Sequence, residues 1–302
     1  MDNLGKYLAH SDYKHVLETA KIAAKLSKQE NMKVYIVGGV VRDIILGKKI
    51  QDIDLMVEGD GILFAKKLAN IIGVKKIVPY EKFGTALIPN KLFQIEVASS
   101  RSESYDSISR SPSVVKYANI KDDLKRRDFT INAMAMDISE EKFGDVIDPF
   151  RGINDLRKGI LRTPLDPEKT FSDDPLRMMR AAYFASKLNF KIESTCRASI
   201  ITQVERIKIV SWERIRDEYI KILKTDKPSI GLVILQKTGL MNYVFPEIDV
   251  MYDMEQSPEW HHKDIFAHTL QVVDNAAKLT DKMEIRFAAL VHDIAKPNTR
   301  RI

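Results

Sequence analysis

Asp52 and Asp54 stand two apart in the segment Gln51-Asp52-Ile53-Asp54-Leu55-Met56-Val57, alternating with Ile53, Leu55 and Val57. That period of two predicts a half-buried strand with both carboxylates on one face. Carboxylates so placed repel unless a cation sits between them, and hard oxygen donors of this kind suit Mg²⁺. Upstream, Gly38-Gly39 separates the apolar run Val34 to Val37 from Val40-Val41-Arg42-Asp43. Glycines there let backbone N–H groups at the start of a short helix approach phosphate oxygens, while Arg42 adds charge-assisted contacts to the same group. Together these residues describe binding of a nucleoside triphosphate with its metal. Read alone, Gly38-Gly39 serves equally as a tight turn and the aspartates as a solvated strand face. No GxxxxGK[ST] or GxGxxG segment occurs, so the commoner phosphate cradles are excluded.

The elements that must position these groups can be read from periodicity. Lys14 to Leu26 carries apolar residues at helical spacing, Val34 to Val37 predicts a buried strand, and Val40 to Leu46 a short helix ended by Gly47. Gly61 to Ile72 predicts a helix and Ile77 to Tyr80 an extended segment. Thr85 to Ile88 is expected to pair with Leu92 to Ala98 across a Pro89-Asn90 turn. In the second of these strands Phe93, Ile95 and Val97 point one way and Gln94 and Glu96 the other, so Glu96 is a candidate third carboxylate facing the aspartate pair. Ser99 to Asp123 is polar and lacks periodicity, which predicts a long mobile loop. Phe129 to Ala135 and Pro175 to Leu188 predict helices, the second with Ser172 and Asp173 as capping residues, and the chain beyond it reads as all-helical. Breaks at Lys227-Pro228, Phe245-Pro246 and Gln256-Ser257-Pro258 mark linkers, and the domain boundaries are placed near 145 and 257.

Composition bounds the rest. The 302 residues carry 48 Lys and Arg against 42 Asp and Glu, a formal charge of +6, and 44% are hydrophobic. That excludes an acidic disordered chain and a small disulfide scaffold, and the length fits about two domains of ~100–200 residues. With 13 Gly and 11 Pro, long helices are expected and an all-β architecture is disfavoured. The positive excess is compatible with a polyanionic partner such as RNA and equally with a solubility charge. One cysteine, Cys196, permits no intramolecular disulfide, which fits a reducing compartment. No apolar run approaches the ~18 residues of a membrane span and the N-terminus lacks the apolar core of a signal peptide, so a cytoplasmic protein without membrane contact is expected.

The order strand, Gly-Gly, short helix, then Asp-x-Asp on the next strand resembles the polymerase-beta-type nucleotidyltransferase superfamily. Lys125-Arg126-Arg127-Asp128-Phe129-Thr130-Ile131-Asn132-Ala133 is similar to the RRDFTxNA segment of the class II tRNA nucleotidyltransferases. Ser172-Asp173-Asp174-Pro175-Leu176-Arg177-Met178-Met179-Arg180 is similar to their EDxxRxxR helix. That family comprises the CCA-adding enzymes and the bacterial poly(A) polymerases. Asp148-Pro149, Gly152, Asp155-Leu156 and Arg162-Thr163-Pro164 are also in register, so the resemblance runs from about residue 34 to 250. Two departures stand out: Asp173 replaces the usual Glu, and Tyr183 stands where many members have another Arg.

The resemblance implies an α/β head with a mixed sheet, followed by an all-α neck and body. Asp52 and Asp54 would hold two Mg²⁺ ions, and Arg127, Asp128 and Asn132 would hold the sugar and triphosphate. Asp174 and Arg177, three apart and expected on one helix face, would imitate a Watson–Crick edge that accepts both C and A, with Arg180 toward phosphate. The Ser99 to Asp123 segment lies where the family carries a flexible element linked to the final A addition, which favours full CCA addition over CC alone.

Farther along, His268-Thr269-Leu270 and Leu290-Val291-His292-Asp293 resemble the opening of an HD phosphohydrolase domain, whose metal ligands follow an H, HD, D order. Imidazoles with a carboxylate suit a divalent metal. The final Asp of that order is not reached by Ile302, so His268, His292 and Asp293 are expected to form an incomplete site, completed with a second divalent metal only in a whole HD domain. His261 and His262 read as surface histidines of a helix.

The sequence therefore predicts a nucleotidyltransferase head at 1–145, a helical neck and body for nucleotide templating and RNA binding at 146–257, and the start of an HD domain at 258–302. The expected reaction is template-independent addition of CMP and AMP, from CTP and ATP, to the tRNA 3′ end, with the body gripping the acceptor arm. Poly(A) polymerase, CC-only or A-only addition, and an HD phosphohydrolase with a nucleotide- or RNA-binding head are the competing readings. The oligomeric state is not legible in the sequence.

Overall fold

In a computed structural model, residues 3–90, 93–105, 112–252 and 264–299 are described. The β-alternation around the aspartates produces a seven-stranded mixed sheet in the order β3-β4-β5-β2-β1-β8-β9. Its strands are β1 (Lys33–Val37), β2 (Asp52–Glu58), β3 (Val78–Tyr80), β4 (Thr85–Ile88), β5 (Gln94–Ser99), β8 (Ala135–Asp137) and β9 (Val146–Ile147). All neighbours pair antiparallel except β2 with β5, which run parallel with Asp54 opposite Glu96 and Asp52 opposite Gln94.

The parity of β2 decides where the core lies. Ile53, Leu55 and Val57 are buried, as are Ile95 and Val97 of β5. The Gly61–Ile71 helix packs over β2, β4 and β5, and the Lys14–Gln29 helix over β1. Phe64 and Leu68 of the first helix are fully buried, a contribution of about 1.5–3 kcal/mol each. The opposite face carries Asp52, Asp54 and Met56, and its Met56 end is covered. There Met56, Tyr35 and Val37 cluster with Ile120 and Leu124 of the Ile120–Lys125 helix, whose first N–H is accepted by Glu58 Oε1 at 2.8 Å. The carboxylate end of that face stays open, with Asp52 exposed and Asp54 half-buried.

Three expectations are corrected. Ser99 to Asp123 is not one loop: β6 (Arg101–Tyr105) and β7 (Pro112–Tyr117) form an antiparallel ribbon, followed by the Ile120–Lys125 helix, while the tip at 106–111 lies outside the described residues. Phe129 to Ala135 is not a helix but a single 3₁₀ turn, Thr130–Asn132, leading into β8. A run of this length has no decisive periodicity, and only its last residue, Ala135, pairs with β1. Ser172 and Asp173 end the Pro167–Asp173 helix and do not cap the next one, Leu176–Leu188. Pro175 removes a backbone donor and forces the residue before it to be extended, so Asp174 sits at φ −141°, ψ 97° between the two helices.

Among the described residues, Asn3 to Lys158 and Arg162–Leu165 form one compact unit, and Gly159–Leu161 with the residues from Asp166 on form a second. The second is helical apart from β10 (Ile160–Leu161), which pairs in parallel with β11 (Lys191–Ile192). Its Leu176–Leu188 helix packs on Trp212–Leu223 and Pro228–Lys237, and the Ile265–Leu279 helix packs on Pro228–Lys237 and Met283–Val291. The breaks read at Lys227-Pro228 and Phe245-Pro246 are helix starts with proline in the first turn. The break at 256–258 lies outside the described residues, as do His261 and His262. No helix among the described residues is long and apolar enough to cross a membrane.

Candidate active site

Parallel pairing of β2 with β5 brings Asp54 and Glu96 side by side on the open face of the sheet, with Asp52 one step along it. Burial, and then the charges of Glu96 and Asp52, push the Asp54 carboxyl up to about 6, against the opposing pull of Arg127 and Arg42. Glu96 is also displaced upward, by partial burial first and by Asp52, again opposed by Arg127. Asp54 and Glu96 are both displaced upward although Arg127 pulls against each, and hard carboxylate oxygens with this demand for positive charge fit Mg²⁺.

A short polar chain lies on the other side of this face. Gly38 takes φ +70° between β1 and the Gly39–Ile45 helix, and its N–H is bonded to Met134 O at 2.9 Å. The conformation favours glycine, and a Cβ there would stand 2.6 Å from Nη1 of Arg127, so any other residue would push the guanidinium aside. Arg42, read as a phosphate ligand, is buried and forks onto Asp43 at 2.8 and 2.9 Å while donating to Asn132 Oδ1 at 2.6 Å. Asn132 Nδ2 donates to Asp128 Oδ1 at 3.0 Å, which also accepts from Phe129 N–H. Asp43, Arg42, Asn132 and Asp128 thus form one hydrogen-bonded line, and the charges of Arg42 and Arg127 both reach Asp54.

Sequence reasoning passed over Asp123. Its carboxylate is fully buried and holds both Arg126 and Arg127, at 2.6 and 3.2 Å. The signal was present as an Asp followed by Arg three and four residues on, a spacing at which side chains meet across the end of the Ile120–Lys125 helix. Asp155 is also buried, accepting from Thr130 Oγ1 at 2.7 Å and Arg162 Nη2 at 2.8 Å, and it pins the turn that carries Asn132.

In the second unit Asp174 and Arg177 do not share a helix face, because Asp174 precedes the helix. Asp174 Oδ1 accepts from Leu176 N–H at 3.2 Å, and Arg177, buried, donates to Thr170 O at 3.4 Å. Arg180 stands 3.8 Å from buried Glu218 and lies over the Phe184 ring. Asp173 pairs with Lys169 at 3.5 Å. Tyr183 packs beside Phe184 with Lys187 over its ring.

The same unit brings His268, His292 and Asp293 together, with one donor atom from each within 4.8 Å of the others. His292 Nε2 lies 3.3 Å from His268 Nε2 and 3.2 Å from Asp293 Oδ2, and Lys296 Nζ stands 2.7 Å from the same oxygen. Two imidazoles and a carboxylate converging in this way fit part of a divalent transition-metal site.

Comparison with known proteins gives the family of the chain. Residues 34–162 match the model of the poly A polymerase head domain, 189–252 that of a probable RNA and SrmB-binding site of polymerase A, and 265–302 that of the HD domain. The Multifunctional CCA protein of Vibrio cholerae is 36% identical over 274 residues, covering 88% of this chain and 64% of that protein. An A-adding tRNA nucleotidyltransferase of Geobacter sulfurreducens is 35% identical over 267 residues, covering 87% of this chain and 28% of its own length. The chain therefore spans less than two thirds of these relatives. Among solved structures, a tRNA nucleotidyltransferase complexed with a primer tRNA and an incoming ATP analog superposes with a TM-score of 0.72 at 31% identity, over 90% of this chain and 75% of that one.

Proposed function

The chain belongs to the family of CCA tRNA nucleotidyltransferases and poly(A) polymerases, and from that premise we propose that it adds CMP and AMP, from CTP and ATP, to the 3′ end of tRNA. The observation that carries this reading is the juxtaposition of Asp54 and Glu96 across the parallel β2–β5 pair, with Asp52 on the same face and Arg127 charged against it.

In this reading Asp52 and Asp54 hold two Mg²⁺ ions, and Glu96 completes the acidic face. When bound, such ions activate the RNA 3′-hydroxyl and neutralise the departing pyrophosphate. The residues of the chain supply position and charge. Arg127 takes the triphosphate, entering over the Gly38 turn, where the absence of a side chain leaves it room. Asp128 and Asn132 hold the ribose, and Arg42 locks Asn132 in orientation through the 2.6 Å bond. Burying and pairing these groups beforehand removes reorganisation from the reaction itself. Asp174 and Arg177 select the base, exchanging their bonds to Leu176 N–H and Thr170 O for the edge of C or A, and Arg180 supports the phosphate side. The helical body grips the tRNA acceptor arm through its phosphates, which makes binding salt-dependent. A single buried cysteine suits the reducing cytoplasm as the place of action. His268, His292 and Asp293 would hold a second divalent metal as part of an HD site.

A-only addition is the second reading, favoured by the similarity to A-adding relatives. Labelled-nucleotide incorporation into tRNAs ending before CCA, after the first C and after both C residues separates the two: only the last is extended by an A-adding enzyme.

A further inference from the structure

We propose that Asp123 is a positioning residue: it fixes the Arg127 guanidinium beside the Gly38 turn and ties that placement to the root of the β6–β7 ribbon. The inference rests on the nucleotide-binding role given to Arg127 above, and assigns the residue through which that role is set.

The geometry divides the Asp123 carboxylate between two tasks. Oδ2 accepts from Nε and Nη2 of Arg127 at 3.3 and 3.2 Å, so one edge of the guanidinium is gripped by both nitrogens. The remaining nitrogen, Nη1, is thereby directed to the Gly38 turn, 3.5 Å from Asn132 O. A fork held on one edge fixes the plane of the whole group, which a single contact would not do. Oδ1 accepts from Arg126 at 2.6 and 3.0 Å and from the backbone N–H of Arg101, the first residue of β6, at 3.3 Å. Arg126 Nε donates in turn to Arg101 O at 3.1 Å, so the ribbon root is bonded on both its N–H and its C=O.

Charge gives this arrangement its consequence. One fully buried carboxylate faces two guanidiniums, leaving a net positive charge at the cluster. The charge of Arg127 is felt by Asp54 and Glu96, so the excess lies toward the acidic face. Without Asp123, Arg127 would be drawn toward those carboxylates, where it competes with the cation they require. Asp123 thus keeps Arg127 available to a triphosphate, and displacement of the ribbon root would shift the carboxylate and with it the guanidinium.

The test is a double-mutant cycle on the full chain, with Asp123→Asn and Arg127→Ala singly and together. Mg·ATP affinity is read by equilibrium binding, and the KM for nucleotide, the KM for tRNA and kcat by incorporation. Asp123→Asn should raise the nucleotide KM and Kd by about tenfold, leave the tRNA KM unchanged, and add nothing further in the Arg127→Ala background. A folded Asp123→Asn protein with unchanged nucleotide affinity, or with an effect that multiplies that of Arg127→Ala, overturns the proposal. If Asp123→Asn does not fold, Asp123→Glu replaces it in the same cycle, since it keeps the charge and displaces the carboxylate by one methylene. The same coupling, smaller in size, is then expected. A chain that binds Mg·ATP with this coupling but extends no tRNA refutes the proposed activity alone. Extension with an unchanged nucleotide KM in the Asp123 variant refutes this inference alone, and a chain that binds no Mg·ATP refutes both.

Discussion

Asp54 of β2 and Glu96 of β5 are register partners in the one parallel pair of the central sheet, so two carboxylates share its open face with no side chain between them. This single parallel pair shapes the candidate site.

The proton and the metal should compete at Asp54. In the metal-free protein its folded carboxyl keeps a proton up to about pH 6, whereas the unfolded one releases it near its ordinary value of about 3.9. The stabilisation from that proton is complete below the unfolded value and is lost as pH rises through 6, a change of at most about 3 kcal/mol. Mg²⁺ should therefore raise Tm more at pH 8 than at pH 5, and Asp54→Asn should remove the difference. Thermal scans with and without Mg²⁺ check this; an Mg²⁺ effect of equal size at both pH values contradicts it.

Gly38→Ala should impair nucleotide binding out of proportion to stability. The φ of +70° with ψ −126° costs an alanine about 1–3 kcal/mol, while the new Cβ displaces Arg127 Nη1. At least a tenfold fall in kcat/KM for nucleotide is expected, worth about 1.4 kcal/mol, in a protein that still folds. Steady-state kinetics beside a denaturation curve measure both quantities.

Arg286 should be a stability determinant of the helical unit. It is 2% exposed, and its five N–H groups reach the carbonyls of Leu223, Thr225, Ala277 and Thr280 and the Asp281 carboxylate. Arg286→Ala leaves the buried carbonyls of Leu223 and Thr225 and the part-buried ones of Ala277 and Thr280 without this donor, and should cost about 3–5 kcal/mol in urea unfolding. Asp281 is fully exposed, and its replacement by Ala should change stability by less than about 1 kcal/mol.

The cluster of His268, His292 and Asp293 should bind Co²⁺ with visible d–d absorption, which His268→Ala abolishes. Lys296→Ala, by removing the ammonium 2.7 Å from Asp293, should tighten binding about two- to tenfold by optical titration.

The local part of this site was legible in the sequence. Alternation places Asp52 and Asp54 on one face and the Gly38 turn follows from residue type, whereas the place of Glu96 beside Asp54 depends on the pairing of β2 with β5. The ribbon of β6 and β7 was not legible, because two strands that pair with each other are held by ladder hydrogen bonds that side-chain periodicity does not register. Asn132 was assigned to a helix for a related reason: the run around it carries no decisive periodicity, and it lies in the turn that precedes β8. Asp174 shows a third limit. Its spacing from Arg177 was read as helical, but Pro175 moves the helix start beyond it. Asp123 was visible as a spacing and acquired meaning only once its burial was known.

The central claim is tested most directly by incorporation of labelled nucleotide into tRNA ending before CCA, with Mg²⁺, offering CTP alone, ATP alone and both, beside the Asp52→Ala, Asp54→Ala double variant. Two C residues followed by one A, absent from a folded double variant, is the predicted result. Incorporation that survives loss of both aspartates, or none by the folded wild-type chain with any of these nucleotide offers, would contradict it.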